Sequence, residues 1–250
     1  MTLAEIDLPH IVGAELICMI KDTIANQPRT LQQTIGPSEI GIPCTRRLIH
    51  KLVREEEPSR RDPAWLAYIG SCVHAGLELG VRQHPTNQAM AQPRYLTEQR
   101  VHVGDVAGQQ IWGSADLFDI DSGTVVDWKV VGPKRIDHYA IHGPGQQYRT
   151  QAHLYGRGFT RQGYTVNHVM IMFLPRDGQL VHHHMWAEPY DESVAVAGLS
   201  RIDDLLELVA ELGVEVVLDL YPPCDDWFCP WCKQRAPRAR SQTTAELFGA

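Results

Sequence analysis

Residues 95–103, 109–118 and 124–131 are three consecutive stretches of strand texture, separated by turns built on Gly104-Asp105 and Asp121-Ser122-Gly123. Turns this short return the chain beside itself, so the three stretches predict an antiparallel meander. Helical periodicity surrounds the meander. Residues 43–57 read as a helix, with Leu48, Leu52 and Val53 at helical spacing and Pro58 closing it. A second helix is expected over 63–82, opened by Pro63 and carrying Trp65, Ile69, Val73, Leu77 and Val81 every four residues. A turn-rich stretch, 84–93, leads from it into the strands.

Beyond the meander, Gly143-Pro144-Gly145 breaks the chain before a helix expected over 146–161. Residues 166–174 and 179–187, joined by Pro-Arg-Asp-Gly, read as a hairpin, and 193–212 as a long amphipathic helix. The natural packing of this order is an α/β (mixed α+β) fold, with a central mixed β-sheet flanked by helices.

No internal repeat is visible, and the 250 residues read as one unit with a polar tail over 237–244. The apolar run 11–20 is interrupted by Glu15 and has no basic residues before it, so it does not read as a secretory signal. No run reaches the roughly 18 apolar residues of a spanning helix, which leaves no membrane role and the cytoplasm as the expected compartment. A net charge of −7 is unusual for a protein that neutralises phosphates, but distribution can override the total. Arg46, Arg47, His50, Lys51 and Arg54 form one basic cluster, and Lys233, Arg235, Arg238 and Arg240 another. Each is either a DNA contact or a solvated helix face or tail.

Two segments carry chemistry. Gly113-Ser-Ala-Asp116 lies toward the end of one expected strand, and Val125-Val-Asp127-Trp-Lys129 lies in the next. Side chains two apart on a strand share a face, so Asp127 and Lys129 stand together and a short hairpin could bring Asp116 to them. Two carboxylates can hold Mg²⁺ or Mn²⁺ against a phosphate, and a lysine beside them can orient or deprotonate the attacking water. Taken alone, D-x-K reads more readily as a solvent-facing ion pair on an amphipathic strand, because the triplet often matches by chance.

His74 occurs in Gly70-Ser-Cys-Val-His74, and Gln151-Ala-His-Leu-Tyr155 places Gln151 and Tyr155 one helical turn apart. Singly, these suit a core histidine and ordinary helix positions. In this order, G-x-x-x-H, a strand-end Asp, D-x-K and Q-x-x-x-Y resemble the signature of RecB-like nucleases of the PD-(D/E)xK superfamily. The resemblance implies a restriction-endonuclease-like core over about 63–190, and His74, Asp116, Asp127 and the Trp128 backbone carbonyl as Mg²⁺ or Mn²⁺ ligands. It implies Lys129 as the residue that activates water, and Gln151 and Tyr155 as groups that orient Lys129 or a phosphate. Glu98 resembles a supporting acidic position. Arg46, Arg47 and Lys51 are candidate DNA contacts.

Six cysteines in a chain without an export signal point to metal or redox use. Cys224, Cys229 and Cys232 have metal-ligand spacing, and Cys44 is the best candidate for a fourth ligand. One cysteine before the core and three after it resemble the iron-sulfur members of the RecB-like group, including AddB-like and CRISPR-associated nucleases, which implies a [4Fe-4S] cluster. Zinc is the competing reading, since thiolates suit both. Such a centre would join an element over about 40–57 to one over 213–236, within a single nuclease domain spanning 1–250. Cys18 and Cys72 read as buried small residues. His182-His183-His184 reads as strand with alternate histidines on one face.

The resemblance implies an exonuclease acting on DNA ends or single strands in recombination, repair or CRISPR-like end processing. No Walker A pattern occurs, so any unwinding needs a helicase or other partner. The alternative is a non-catalytic DNA-binding module on the same fold.

Overall fold

Thr124–Val131 is buried along nearly its whole length, and the architecture follows from that strand. A strand covered on both faces belongs in the middle of a sheet. The computed structural model, which describes residues 8–26, 35–55, 65–89, 92–226 and 229–232, places it third of five. The strands are β1 (Tyr95–Val106), β2 (Gln109–Asp119), β3 (Thr124–Val131), β4 (His168–Pro175) and β5 (His184–Pro189), in that spatial order. β1, β2 and β3 form the expected antiparallel meander, β4 runs parallel to β3, and β5 returns antiparallel on β4. The sheet is therefore mixed and flanked by helices, as the order of elements predicts.

The helices are α1 (Leu8–Ala25), α2 (Pro37–Ile40), α3 (Thr45–Leu52), α4 (Trp65–Gln83), α5 (Pro85–Gln88), α6 (Pro133–His142), α7 (Gly145–Arg161), α8 (Glu192–Leu212) and α9 (Val214–Leu220). A parallel neighbour cannot be reached by a tight turn, so α6 and α7 together form the crossover from β3 to β4. One sheet face packs on α7 and α8, where Ala152, Leu154, Phe159 and Ile202 join Val101, Val125, Ile171 and Phe173 in the main core. Phe118 and Phe159 stack there at 4.3 Å, each side chain contributing about 1.5–3 kcal/mol by burial. A smaller apolar cluster of Leu117, Val126, Trp128 and Leu174 packs against Leu77 and Val81 of α4. That contact seats α4, and His74 with it, over the centre of the sheet. No described helix is long and apolar enough to cross a membrane.

Several elements depart from expectation. The first expected helix is shorter, Thr45–Leu52, and the second is described only from Trp65, so Pro58 and Pro63 lie outside the described residues. The turn-rich stretch after it contains the short helix α5, started by Pro85 behind a His84 cap. Helix α6 was not anticipated, although Pro133 in its first turn and Gly143 after its end are boundary signals. The second hairpin arm begins later than expected, because Leu180–His182 forms a 3₁₀ turn and only His184 of the histidine run enters β5. Cys18 on α1 and Cys72 on α4 are exposed rather than buried. The basic cluster Lys233, Arg235, Arg238 and Arg240 lies outside the described residues.

Candidate active site

β2 pairs with β3 only over Leu117–Asp119, so upstream of Leu117 the two strands diverge. Asp116 stands at this fork, and a cleft of about 1130 Å³ opens beside it. His74, Glu98, Asp116, Asp127, Lys129, Gln151 and Tyr155 all line the cleft.

Each side chain is fixed by its own element. Asp116 Oδ2 accepts from the backbone N–H of Trp128 at 2.7 Å, which locks β2 to β3 at the fork. Its Oδ1 lies 3.2 Å from His74 Nδ1 on α4. Glu98 sits in the left-handed region at φ 47°, and the β1/β2 pairing skips it between Thr97 and Gln99. A non-glycine residue held there costs about 1–3 kcal/mol, and the distortion re-aims its carboxylate. Glu98 accepts from Ser114 Oγ at 2.6 Å. One donor atom each from His74, Glu98 and Asp116 lies within 4.8 Å of the others. Glu98, expected only in support, is thus a full member of the acidic group.

Asp127 is fully buried, and Lys129 Nζ approaches its Oδ2 to 2.5 Å. Lys129 donates to Gln151 Oε1 at 3.1 Å, and Gln151 Nε2 donates to the Tyr155 hydroxyl at 3.1 Å. Lys129 Nζ also sits 5.0 Å from the centre of the Tyr148 ring, a contact the sequence did not suggest. The i, i+4 spacing of Gln151 and Tyr155 puts both on the α7 face turned to the sheet. Gly113 permits this approach: a Cβ there would meet Pro37 Cγ at 2.6 Å and Tyr155 Cε1 at 2.8 Å.

The electrostatics show an unmet demand for positive charge. Burial pushes Asp127 up to about 6, with the Lys129 ammonium opposing and the Asp116 carboxylate adding. Burial also raises Glu98, against the Ser114 hydrogen bond and with Asp116 adding. Burial works against a charged His74, but the Asp116 contact and the field of Asp116 and Asp127 outweigh it and raise its pKa. Asp127 Oδ2 is buried without an aligned hydrogen-bond donor beyond its ion pair. Hard carboxylate oxygens and an imidazole around such a point fit a divalent cation.

The expected DNA contacts on α3 behave differently from one another. Arg46 is buried, and its guanidinium donates to the carbonyls of Leu218, at 2.5 Å, and Tyr221, at 2.9 Å, so it ties α3 to α9 instead of facing a ligand. Arg47 is half-buried, and its backbone N–H donates to Cys44 Sγ at 3.4 Å. Lys51 lines the cleft, paired with Glu39 at 2.6 Å.

Cys44, at the start of α3, meets Cys224, Cys229 and Cys232, with one sulfur of each within 4.8 Å of the others. Cys44 Sγ lies 3.5 Å from Cys232 Sγ and 3.8 Å from Cys229 Sγ. Burial raises the thiols of Cys224 and Cys232; in Cys229 the backbone N–H groups of Cys232 and Trp231 outweigh burial and lower it. Four sulfurs this close cannot all be thiolates without a cation among them. His50 stacks on Trp231 at 3.9 Å and closes the centre on one side.

No family model matches the chain, and no curated protein matches it. Among solved structures, that of SSO0001 resembles it over 91% of this chain and 96% of that one, with a TM-score of 0.50 at 18% identity. The alkaline exonuclease LHK-Exo from Laribacter hongkongensis resembles it over 75% of this chain and 91% of that one, with a TM-score of 0.45 at 9% identity. The same exonuclease in complex with dAMP gives a TM-score of 0.45 at 11% identity. At these identities the likeness concerns the α/β fold: a mixed five-stranded sheet flanked by helices.

Proposed function

We propose that this protein is a divalent-metal-dependent nuclease that hydrolyses DNA phosphodiester bonds, acting from ends as an exonuclease, and that the chain works as one nuclease domain. The observation that carries the reading is the convergence of His74, Glu98 and Asp116 beside the Asp127–Lys129 pair on the floor of an open cleft. Carboxylates crowded at one point repel a bare phosphodiester, so the arrangement makes chemical sense with a cation bound.

In this reading His74, Asp116, Asp127 and the Trp128 carbonyl hold the ion, with Glu98 beside them. Magnesium or manganese there would polarise a phosphoryl oxygen and make hydroxide available at neutral pH. Lys129 is positioned by Asp127 and Gln151 to orient the attacking water and to offset charge on the phosphate. Gln151 is positioned in turn by Tyr155.

The cysteine centre is a structural metal site in the same proposal. One cysteine before the core and three after it support a [4Fe-4S] cluster. The sulfur separations support a second reading: four thiolates on one tetrahedral zinc, with Zn–S near 2.3 Å, lie about 3.8 Å apart, close to the observed 3.5 and 3.8 Å. A cubane binds each thiolate through a different iron and spreads them wider. Visible absorption together with iron and zinc content of anaerobically purified protein decides between them.

The function is tested with end-labelled single- and double-stranded DNA in Mg²⁺, Mn²⁺ or EDTA. Shortening that requires the metal and falls by about 10²–10⁴ in Lys129→Ala supports the assignment. DNA binding without metal-dependent cutting by folded protein would replace it with a non-catalytic binding module.

A further inference from the structure

Trp112 is a large aromatic side chain left 41% exposed inside the cleft. Residues 112, 114 and 116 alternate along β2 and share a face, so Trp112 stands on the same track as Ser114 and Asp116. It stands four residue steps along the strand from Asp116, about 13 Å, a distance covered by a few nucleotides of extended strand.

The ring is held in place. Arg100 lies over it, its guanidinium 5.4 Å from the ring centre, and His102 stacks against it at 5.0 Å and 30°. The indole Nε1 donates to Gln110 Oε1 at 3.2 Å. Arg161 reaches the same spot, its Nη2 3.0 Å from His102 Nδ1. Both ring contacts come from β1. On the opposite side β2 has no strand beside Trp112, because its pairing with β3 begins only at Leu117. A cation and an imidazole from β1 thus lie against the indole, and no strand flanks it on the other side of β2.

We infer that Trp112 is a stacking platform for an unpaired nucleobase, so that the cleft receives a single-stranded end whose phosphates run past Arg100 and Arg161 toward Asp116. The inference rests on the nuclease reading and deepens it. An aromatic ring oriented beside cations along a groove is how proteins bind single strands without reading sequence, because every base offers a π face. A base within a duplex is already stacked on its neighbours and has no face to give. A scattered surface aromatic would need no explanation; this one lines the cleft and is 41% exposed there.

The test uses Lys129→Ala as the non-cutting background and compares it with the same protein carrying Trp112→Ala or Trp112→Phe. Affinity for single-stranded and blunt duplex DNA is read by fluorescence anisotropy, and stacking by quenching of 2-aminopurine placed at successive positions from the strand end. The expected result is that Trp112→Ala weakens single-strand binding by about tenfold or more and abolishes quenching near the end. Blunt duplex affinity and melting temperature stay unchanged, and Trp112→Phe keeps most of the affinity. Equal single-strand affinity with and without the indole overturns the platform; if the wild type still cuts DNA, the nuclease reading survives that result. A wild type that neither binds nor cuts DNA overturns both.

Discussion

Asp116 and Asp119 lie three residues apart on β2, and each is 7% exposed, yet they are opposite kinds of carboxylate. Asp119 is saturated. Arg94 donates to both its oxygens, at 2.7 and 2.8 Å, Ser122 Oγ donates at 2.7 Å, and the Asp121 N–H adds a longer contact at 3.3 Å. The Arg94 hydrogen bonds hold its pKa below the usual carboxylate range against the effect of burial. Asp116 has one backbone donor and a histidine, and it faces an open cleft with Asp127 and Glu98 nearby. A buried carboxylate that the chain itself neutralises holds the turn after β2, whereas one left short of positive charge is available to a cation from outside.

The sharpest way to break this contrast is to neutralise each carboxylate in turn. Asp116→Asn keeps an acceptor for the Trp128 N–H but removes the charge, and cutting should fall to the level seen in EDTA while the urea midpoint changes little. A variant that cut normally would remove Asp116 from the chemistry. The cysteine centre extends the comparison to sulfur, since there too the chain gathers more anionic ligands than it neutralises. Cys229→Ser should cost about 3–5 kcal/mol, by the same chain-entropy reasoning as a cross-link that closes a long loop. Thermal melting checks this, and an unchanged melting temperature would mean that no metal ties the two ends together.

Asp119→Asn should leave cutting within a few fold and lower stability by about 1.5–3 kcal/mol at neutral pH, the range for hydrogen bonds to charged groups. Because the folded pKa of Asp119 is lowered, its contribution is complete above the unfolded value near 3.9 and is lost as pH falls through the folded value. Urea midpoints of wild type and Asp119→Asn should therefore converge in acid; a constant gap at all pH values would show that the loss is one of packing rather than charge. The smallest effect is expected from Tyr155→Phe, which removes the hydroxyl that accepts from Gln151 Nε2. Turnover should drop about 2- to 10-fold, the worth of one neutral hydrogen bond, with KM nearly constant.

Much of this molecule is readable without coordinates. Period-two texture and tight turns gave the β1–β3 meander to within a few residues. Strand alternation paired Asp127 with Lys129, and helix periodicity paired Gln151 with Tyr155. Signals that depend on surroundings failed. Helix α6 was missed because it is only ten residues long, with few apolar side chains among charged and histidine ones, and Cys72 was misjudged because the apolar face of α4 that packs on the sheet carries Leu77 and Val81 instead. Arg46 looked like a basic surface residue until α9 closed over it with two carbonyls.

The sequence by itself determined which side chains share a face, because that depends only on local repeat: two residues in a strand, 3.6 in a helix. It therefore placed Asp127 with Lys129, and Gln151 with Tyr155. Only the tertiary structure decided which faces meet. The divergence of β2 from β3, the left-handed backbone at Glu98 and the seating of α4 on Trp128 bring His74, Glu98 and Asp116 to one point. The same level of structure gives Asp119 its arginine and leaves Asp116 without one, because the supply of charge to a buried carboxylate comes from residues distant in the chain, which no local pattern records.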